Sequence, residues 1–271
     1  MDVRNSMRIT QTCRTITELM GIEAPEKADA ANEAVLAKAE TVFRGKPAER
    51  ILLYNPDAIA LWLYQKYTEK FIPVIEETQT ALPVLSVMPS VTPVCFASMY
   101  TGLMPADHGI QAYIKPVVKA DSLFDAAIRA GKKPIIISTV GDSLTEIFKE
   151  RDMDYIECET PDECNEKALE VIAADKHDIV LCYNANFDST MHRWGPEAEI
   201  SLAQLDHNAA AFHTLCEAAK TAWAGKRCVF TFLPDHGCHE IDGNLGSHGL
   251  DMDADMNIIH FYGFFNKERT C

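Results

Sequence analysis

Six short apolar runs, separated from one another by amphipathic segments, constrain the fold of this chain most strongly. The runs are residues 50–54, 83–88, 134–138, 178–183, 227–233 and 258–265. Strands that are apolar along their whole length are buried on both faces, which is typical of parallel sheets covered by helices. Between them lie helix candidates at residues 58–69, 122–130, 143–150, 161–174 and 196–223. This alternation predicts a three-layer α/β/α sandwich with a mostly parallel central sheet.

The chain of 271 residues is long enough for one large α/β domain. We therefore predict a single compact domain over residues 1–271. Residues 1–46 are interpreted as an N-terminal helical extension, in which EKADAANEAVLAKAETVF has the spacing of a solvent-facing helix.

The net charge disfavours some classes of binding partner, and the cysteine content bears on the cellular location. The 40 acidic and 25 basic residues give a formal net charge of −15, which repels nucleic acid and anionic lipid. No apolar stretch reaches the roughly 18 residues of a membrane span, so we predict neither a nucleic-acid nor a membrane partner. With no signal-peptide-like run and no C-x-x-C pair, the nine cysteines are interpreted as reduced thiols of a cytoplasmic protein. The sequence leaves homo-oligomerisation open.

Polar residues that can bind a metal follow several of the apolar runs. In a parallel sheet the ligand site forms beyond the carboxyl ends of the strands, and an aspartate there can also be a helix cap or turn former. Asp188 and His192 are spaced i, i+4, so they share one face if that segment is helical. Together such carboxylates and imidazoles favour zinc, with manganese as an alternative. The candidate ligands are Asp57, Asp188, His192, Asp235, His236 and His248.

Thr92 lies near the expected start of a helix, just after the run that ends at Met88 and before Pro93. Backbone N–H groups and the helix dipole favour an anion at such a position. Thr92 can be read simply as a helix cap. As a nucleophile it would need activation by a base or a metal, because a threonine hydroxyl is unreactive at neutral pH.

The motifs, taken in order, resemble those of the alkaline phosphatase superfamily and most closely its type I phosphodiesterase/nucleotide pyrophosphatase branch. The resemblance spans residues 57–249. It consists of Asp57, P-S-x-T…T-G-L-x-P-x-x-H-G-I at residues 89–110, D-S-x-x-H at 188–192, D-H-G at 235–237 and G-x-H-G at 246–249.

The resemblance implies a site with two divalent metal ions and Thr92 as the nucleophile. Asp188, His192 and His248 would hold one metal. The other would be held by Asp57, Asp235, His236 and the Thr92 oxygen. A sulfatase is disfavoured, because that branch needs Cys or Ser at the position of Thr92.

One position departs from the family pattern. Diesterases of this branch end H-G-I-x-x-N in an Asn that helps to hold the phosphate, whereas this chain has Tyr113 there. Tyr113, Gln111 or Lys115 could supply a substitute donor for the substrate. Cys95, which stands where diesterases often carry Asn, is interpreted as a buried packing residue.

The leading hypothesis is a metal-dependent hydrolase that cleaves phosphodiester or nucleotide pyrophosphate bonds of a small phosphorylated substrate through a phospho-threonine intermediate. A phosphomonoesterase, phosphonate hydrolase or phosphomutase would use the same two metals. A metal-dependent binder of a phosphorylated ligand, without catalysis, is an alternative of another class.

Four further features have structural interpretations. His108 is expected to brace the loop after the nucleophile helix, and His239 to lie near the site. The acidic segment 251–256 lacks the Gly and distal Glu of a calcium loop and is interpreted as a solvated turn. Trp194 is interpreted as a packing residue, although it lies close enough in sequence to the Asp188 motif to line a pocket.

Overall fold

The structure, a computed structural model, describes residues 4–266. Strands in this part of the chain are numbered β1 to β10. They are Met7–Arg8, Arg50–Pro56, Thr80–Leu85, Pro134–Thr139, Asp154–Cys158, Ile179–Asn184, Arg227–Phe232, His239–Ile241, Leu245–Ser247 and Asn257–Asn266.

The α-helices of the same residues are numbered α1 to α12. They are Gln11–Leu19, Glu33–Phe43, Leu61–Lys66, Ile72–Glu77, Thr92–Thr101, Pro105–His108, Leu123–Arg129, Ser143–Phe148, Pro161–Ala174, Asn186–Trp194, Glu199–Ala222 and Asp253–Met256. A 3-10 helix, Thr68–Phe71, connects α3 to α4.

Eight of the described strands form one sheet in the order β1-β3-β10-β7-β2-β6-β4-β5. β10 runs antiparallel to both of its neighbours, β3 and β7, and the other pairings are parallel. The carboxyl ends of β3, β7, β2 and β6 therefore meet at one edge. β8 and β9 form a separate antiparallel hairpin.

Alternate side chains of the central strands enter two hydrophobic cores, one on each face of the sheet. On β2, Leu53 belongs to the core that also contains side chains of α1, α2, α5, α7 and α8. Leu52 belongs to the core on the other face, with side chains of α3, α9, α10 and α11. Because both faces are covered, the central strands are apolar along their length. The predicted three-layer sandwich with a mostly parallel sheet is confirmed.

The N-terminal segment differs from the expected solvent-facing helical extension. Residues 7–8 add a parallel strand beside β3, and Ile9, Cys13 and Ile16 are fully buried. Within EKADAANEAVLAKAETVF only α2 is helical, and its Val35 and Phe43 enter the core. α2 has the predicted helical spacing, with Val35, Ala39 and Phe43 buried and its other residues exposed or half-buried. The segment differs from an extension because its buried residues cover one face of the sheet. The single-domain assignment over 1–271 stays a prediction.

Element boundaries also shifted. The run at residues 83–88 becomes β3 at Thr80–Leu85, so Ser86, Val87 and Met88 lie beyond the strand. Residues 58–69 contain only the short α3, followed by the 3-10 helix. The long helix at 196–223 is confirmed as α11, Glu199–Ala222.

Candidate active site

The predicted ligands converge at the edge where the strands β2, β6 and β7 end. Asp57 directly follows β2, and its N–H donates to the Asn184 carbonyl at the end of β6 (3.0 Å). Asp235 follows β7, and its Oδ1 accepts a hydrogen bond from Ala58 N–H (3.3 Å). Asp188 lies in the first turn of α10, which begins directly after β6. The parallel register of the three strands thus brings these carboxylates together.

Thr92 is the first residue of α5, and the predicted helix start is confirmed within one residue. Its Oγ1 lies 3.3 Å from Asp57 Oδ2 and 3.4 Å from His236 Nε2. The side chain is 3% exposed. The positive end of the helix dipole therefore points at the position where these groups meet.

One half of the site contains Asp57, Asp235 and His236, all buried. His236 Nε2 lies 3.3 Å from Asp57 Oδ1 and 3.5 Å from Asp235 Oδ2. One ligand atom from each of the three side chains lies within 4.8 Å of the other two. This spacing is suitable for a single metal ion.

The other half is built on Asp188. His192 Nε2 and His248 Nε2 lie 3.3 and 3.4 Å from the same oxygen, Asp188 Oδ1. His236 also comes within 4.8 Å of the ligand atoms of Asp188 and His248, and its ring stacks on that of His248 with centroids 4.0 Å apart. The two halves are therefore adjacent, with His236 between them.

Backbone carbonyls orient all three imidazoles. His192 Nδ1 bonds the Gly246 carbonyl (3.0 Å), His236 Nδ1 the Gly237 carbonyl (3.0 Å) and His248 Nδ1 the Ser90 carbonyl (2.9 Å). A carbonyl oxygen only accepts, so Nδ1 carries the proton in each ring. Each Nε2 lone pair is then free for a metal, which is the usual arrangement of ligating histidines.

Three buried carboxylate oxygens at the centre accept no hydrogen bond within the described chain. They are Asp57 Oδ1, Asp188 Oδ1 and Asp235 Oδ2, the same atoms that lie against the Nε2 atoms. Buried polar atoms without partners are rare and costly. A group of anionic oxygens and free imidazole nitrogens fits divalent cations that accept mixed N/O ligands, such as zinc or manganese.

The electrostatics of the site agree with that fit. Burial, and then the Asp188 carboxylate, raises the pKa of Asp57, and burial followed by Asp57 raises the pKa of Asp235. The Asp188 carboxylate raises the pKa of His192, whereas burial lowers the pKa of His248 to about 3. Crowded buried carboxylates disfavour their own charge unless cations neutralise them.

Two contacts at the site were not predicted from the sequence. The Tyr183 hydroxyl donates to Asp57 Oδ2, and both side chains are buried. His239 Nδ1 bonds Asp255 Oδ1 at 2.7 Å. Tyr183 follows four apolar residues of β6 and precedes its last residue, Asn184. A phenol hydroxyl at the carboxyl end of a buried strand is the signal that could have indicated this contact.

The candidate substrate contacts lie on the loop that follows α6. Tyr113 is 59% exposed. Its partial burial and the Asp57 and Asp188 carboxylates raise its pKa, whereas a hydrogen bond with Ser143 lowers the pKa. Lys115 donates to the Gly141 carbonyl (2.8 Å), with its ammonium 5.7 Å from the Tyr113 ring centre. Gln111 is exposed. Tyr113 is thus within electrostatic range of the candidate ligands Asp57 and Asp188.

The structural interpretations hold for Cys95 and His108 but not for Asp255 or Trp194. Cys95 is fully buried, and His108 Nε2 bonds Ser98 Oγ (2.9 Å) on α5, with burial lowering the pKa of His108 to about 4. The interpretation of residues 251–256 as a solvated turn was wrong for Asp255, which is fully buried. Trp194, expected to pack, is instead 57% exposed.

Two further observations concern the state of the cysteines and the apolar character of the helices in the described residues. Its eight cysteines are free and buried. No helix among residues 4–266 combines the length and the apolar character needed to cross a membrane.

Residues 56–140 match the family of type I phosphodiesterases and nucleotide pyrophosphatases. No match was found among curated proteins. Similar solved structures include human ectonucleotide pyrophosphatase/phosphodiesterase 5, at 19% identity over 71% of this chain and 58% of that one, with a TM-score of 0.56. An inactive threonine-to-alanine variant of the murine protein, in complex with AMP, matches at 18% identity over 72% and 59%, with a TM-score of 0.55.

More distant structures share the same fold. The 2-O GAG sulfatase BT1596 matches at 10% identity over 81% of this chain and 64% of that one, with a TM-score of 0.56. The C-terminal periplasmic domain of EptC from Escherichia coli matches at 12% identity over 83% and 74%, with a TM-score of 0.50. This chain spans about 58% of the human phosphodiesterase structure. The fold is therefore alkaline-phosphatase-like, and residues 56–140 confirm the resemblance to the type I phosphodiesterase/nucleotide pyrophosphatase family.

Proposed function

We propose that this chain is a metal-dependent hydrolase of phosphodiester or nucleotide pyrophosphate bonds, with Thr92 as its nucleophile. The observation that carries the proposal is the set of three buried, unpartnered carboxylate oxygens facing imidazole Nε2 atoms. Thr92 Oγ1 lies beside this set, 3.4 Å from His236 Nε2 and 3.3 Å from the other oxygen of Asp57, Oδ2. A structural cap or a packing threonine would not require such a set.

The donor set supports a site for two divalent cations, for which we propose zinc or manganese. Asp188, His192 and His248 would hold one, and Asp57, Asp235, His236 and Thr92 the other, with His236 close to both. When bound, the cations would lower the pKa of the Thr92 hydroxyl and neutralise charge on the phosphoryl oxygens.

Thr92 Oγ would attack phosphorus in line with the leaving oxygen. The Oγ–P bond forms, the bond from phosphorus to the leaving oxygen breaks, and the hydroxyl proton of Thr92 passes to solvent. Water then attacks the phospho-threonine, which restores the hydroxyl and releases the phosphoryl product. The α5 dipole stabilises the negative charge that gathers at Thr92 in both steps.

A small nucleotide-like substrate is the class that we propose. AMP is bound in one similar structure, and Tyr113, in place of the family's Asn, is the residue that we propose to contact the phosphoryl group. A cytoplasmic location stays a prediction, and the similar structures include an ectoenzyme and a periplasmic domain. Cell fractionation with a protease-accessibility assay checks it, and recovery of the protein only outside the cytoplasm would contradict it.

The proposal is tested by hydrolysis of bis-(p-nitrophenyl) phosphate and p-nitrophenyl phosphate with the zinc- and manganese-loaded protein. The diester should be preferred. Thr92→Ala should lose about 10³-fold or more of the turnover while it retains metal. Thr101→Ala, the same substitution at the other end of α5, is the matched control and should stay within about threefold of wild type.

Each alternative predicts a different result. A large preference for the monoester would favour a phosphomonoesterase over a diesterase. Metal-loaded protein that binds AMP but hydrolyses neither substrate would indicate the non-catalytic binder. Full turnover in Thr92→Ala would show that Thr92 is not the nucleophile.

A further inference from the structure

The short helix α12 packs directly against the D-H-G segment of the site. Gly237 N–H donates to the Asp255 carbonyl (2.8 Å), and a Cβ added at Gly237 would lie 2.0 Å from the Ala254 carbonyl oxygen. Any residue other than glycine at 237 would displace one of the two segments. The position of His236 therefore depends on the position of α12.

The Asp255 side chain contacts both metal-binding loops. It is fully buried, its Oδ2 accepts from Leu250 N–H (2.8 Å), and its Oδ1 accepts from His239 Nδ1 (2.7 Å). Leu250 follows His248 by two residues, and His239 follows His236 by three. One carboxylate thus joins the segment of one half-site to the segment of the other.

α12 is held in turn by the end of β3. Ser86 N–H donates to the Met256 carbonyl (2.8 Å), and the Ser86 hydroxyl donates to the carbonyl of Asp235 (2.6 Å). A buried carboxylate is strongly unfavourable unless its oxygens are bonded, and both oxygens of Asp255 are. Its position is therefore well determined.

We propose that Asp255 is a positioning residue that sets the separation of the His236 and His248 imidazoles and thereby the metal affinity of the paired site. The inference rests on the proposed function, because it requires that the site binds metal. Metal–ligand distances tolerate only about 0.2 Å. Release of the loop at Leu250 would move His248 relative to His236, whose ring centroids now lie 4.0 Å apart.

The test compares Asp255→Ala with Asp255→Asn and with the control Asp251→Ala. Asp251 lies in the same acidic segment, but its side chain is 73% exposed and pairs with Arg4 on the surface. Zinc affinity of the metal-free proteins is measured by competition with a chromophoric chelator. Circular dichroism at the same temperature verifies that each variant is folded.

Asp255→Ala should bind zinc about 10- to 100-fold more weakly, and Asp251→Ala should stay within about twofold of wild type. Asp255→Asn should stay within about fivefold, because its amide can accept from Leu250 N–H and donate to the other tautomer of His239. If Asp255→Ala does not fold, His239→Ala removes one of the bonds to Asp255 and should weaken binding about fivefold.

If folded Asp255→Ala binds zinc as tightly as wild type, Asp255 is not a positioning residue, and the proposed function is unaffected. If Asp255→Ala does not fold, wild-type zinc affinity in His239→Ala leads to the same conclusion. An equal loss in Asp255→Asn and Asp255→Ala would also overturn the inference, because positioning by hydrogen bonds would not explain it. Wild-type protein that binds no zinc would overturn the proposed function as well. Wild-type protein that binds zinc but hydrolyses no phosphoester would overturn only the function.

Discussion

Replacing Tyr183 by Phe removes one hydroxyl from the centre of the proposed metal site. That hydroxyl donates to Asp57 Oδ2, while Asp57 Oδ1 is left for a metal. The Tyr183 ring packs edge-to-face on Phe96, with centroids 5.3 Å apart, and a phenylalanine preserves this contact. The substitution thus changes the hydrogen bond and little else.

The expected effect follows from the charge on Asp57. The hydrogen bond from Tyr183 lowers the pKa of Asp57, against the burial that raises it, so it favours the anionic form that a cation requires. A hydrogen bond to a charged group contributes about 1.5–3 kcal/mol. Since about 1.4 kcal/mol is a factor of ten in affinity, Tyr183→Phe should bind zinc about 10- to 100-fold more weakly.

Chelator competition on the metal-free proteins measures this change, with Tyr54→Phe as the matched control. Tyr54 is also a buried tyrosine on a central strand, but its hydroxyl donates to the neutral amide oxygen of Asn208 (3.2 Å). The control should lose about 1 kcal/mol of stability and keep its zinc affinity. Affinity within twofold of wild type in Tyr183→Phe, or an equal loss in both variants, would refute the reasoning.

Two further predictions concern His260 and Gly246. Burial lowers the pKa of His260 to about 4, below its unfolded value of about 6.5, so the folded state loses stability as pH falls through that window. Between pH 7 and pH 5, wild type should lose about 2 kcal/mol more unfolding free energy than His260→Gln, as measured by urea unfolding without metal. A Cβ at Gly246 would lie 2.5 Å from the Met191 carbonyl oxygen. Because the Gly246 carbonyl orients His192, Gly246→Ala should lower zinc affinity about tenfold in chelator competition.

One result for each variant would contradict the predictions for His260 and Gly246. An equal loss of stability between pH 7 and pH 5 in His260→Gln and wild type would show that His260 is not buried in its neutral form. Folded Gly246→Ala with wild-type zinc affinity would show that the carbonyl of residue 246 does not orient a ligand.

The core of the fold was predictable because its strands are unambiguous. Residues 179–183 and 228–233 are apolar apart from Thr231, and they form most of β6 and β7 as expected. The edge strand β5 is mostly half-exposed or exposed, so its pattern did not distinguish it from a loop. α1 was missed because its buried residues include threonines. Thr15 is fully buried, and its hydroxyl donates to the Gln11 carbonyl (2.7 Å) and accepts from Asn32 N–H (2.8 Å). A polar/apolar pattern does not show these bonds.

The site was predictable to the extent that its residues follow strand ends in motif order. The structure brings Asp57, Asp188 and Asp235 together, as the parallel sheet requires. Asp255 was misinterpreted because its burial depends on the packing of α12 over Gly237, a tertiary contact with no local pattern. Tyr183 was read only as part of a strand, because its partner Asp57 is distant in the sequence.

Metal content tests the central claim, a paired metal site, most directly. Protein purified without chelators is measured by elemental mass spectrometry beside Asp235→Ala and the control Asp178→Ala, which lies near the opposite edge of the sheet and pairs with Arg50. We predict about two equivalents of zinc or manganese in wild type and control, and fewer in Asp235→Ala. Wild-type protein that stays metal-free after incubation with excess zinc and manganese would contradict the account.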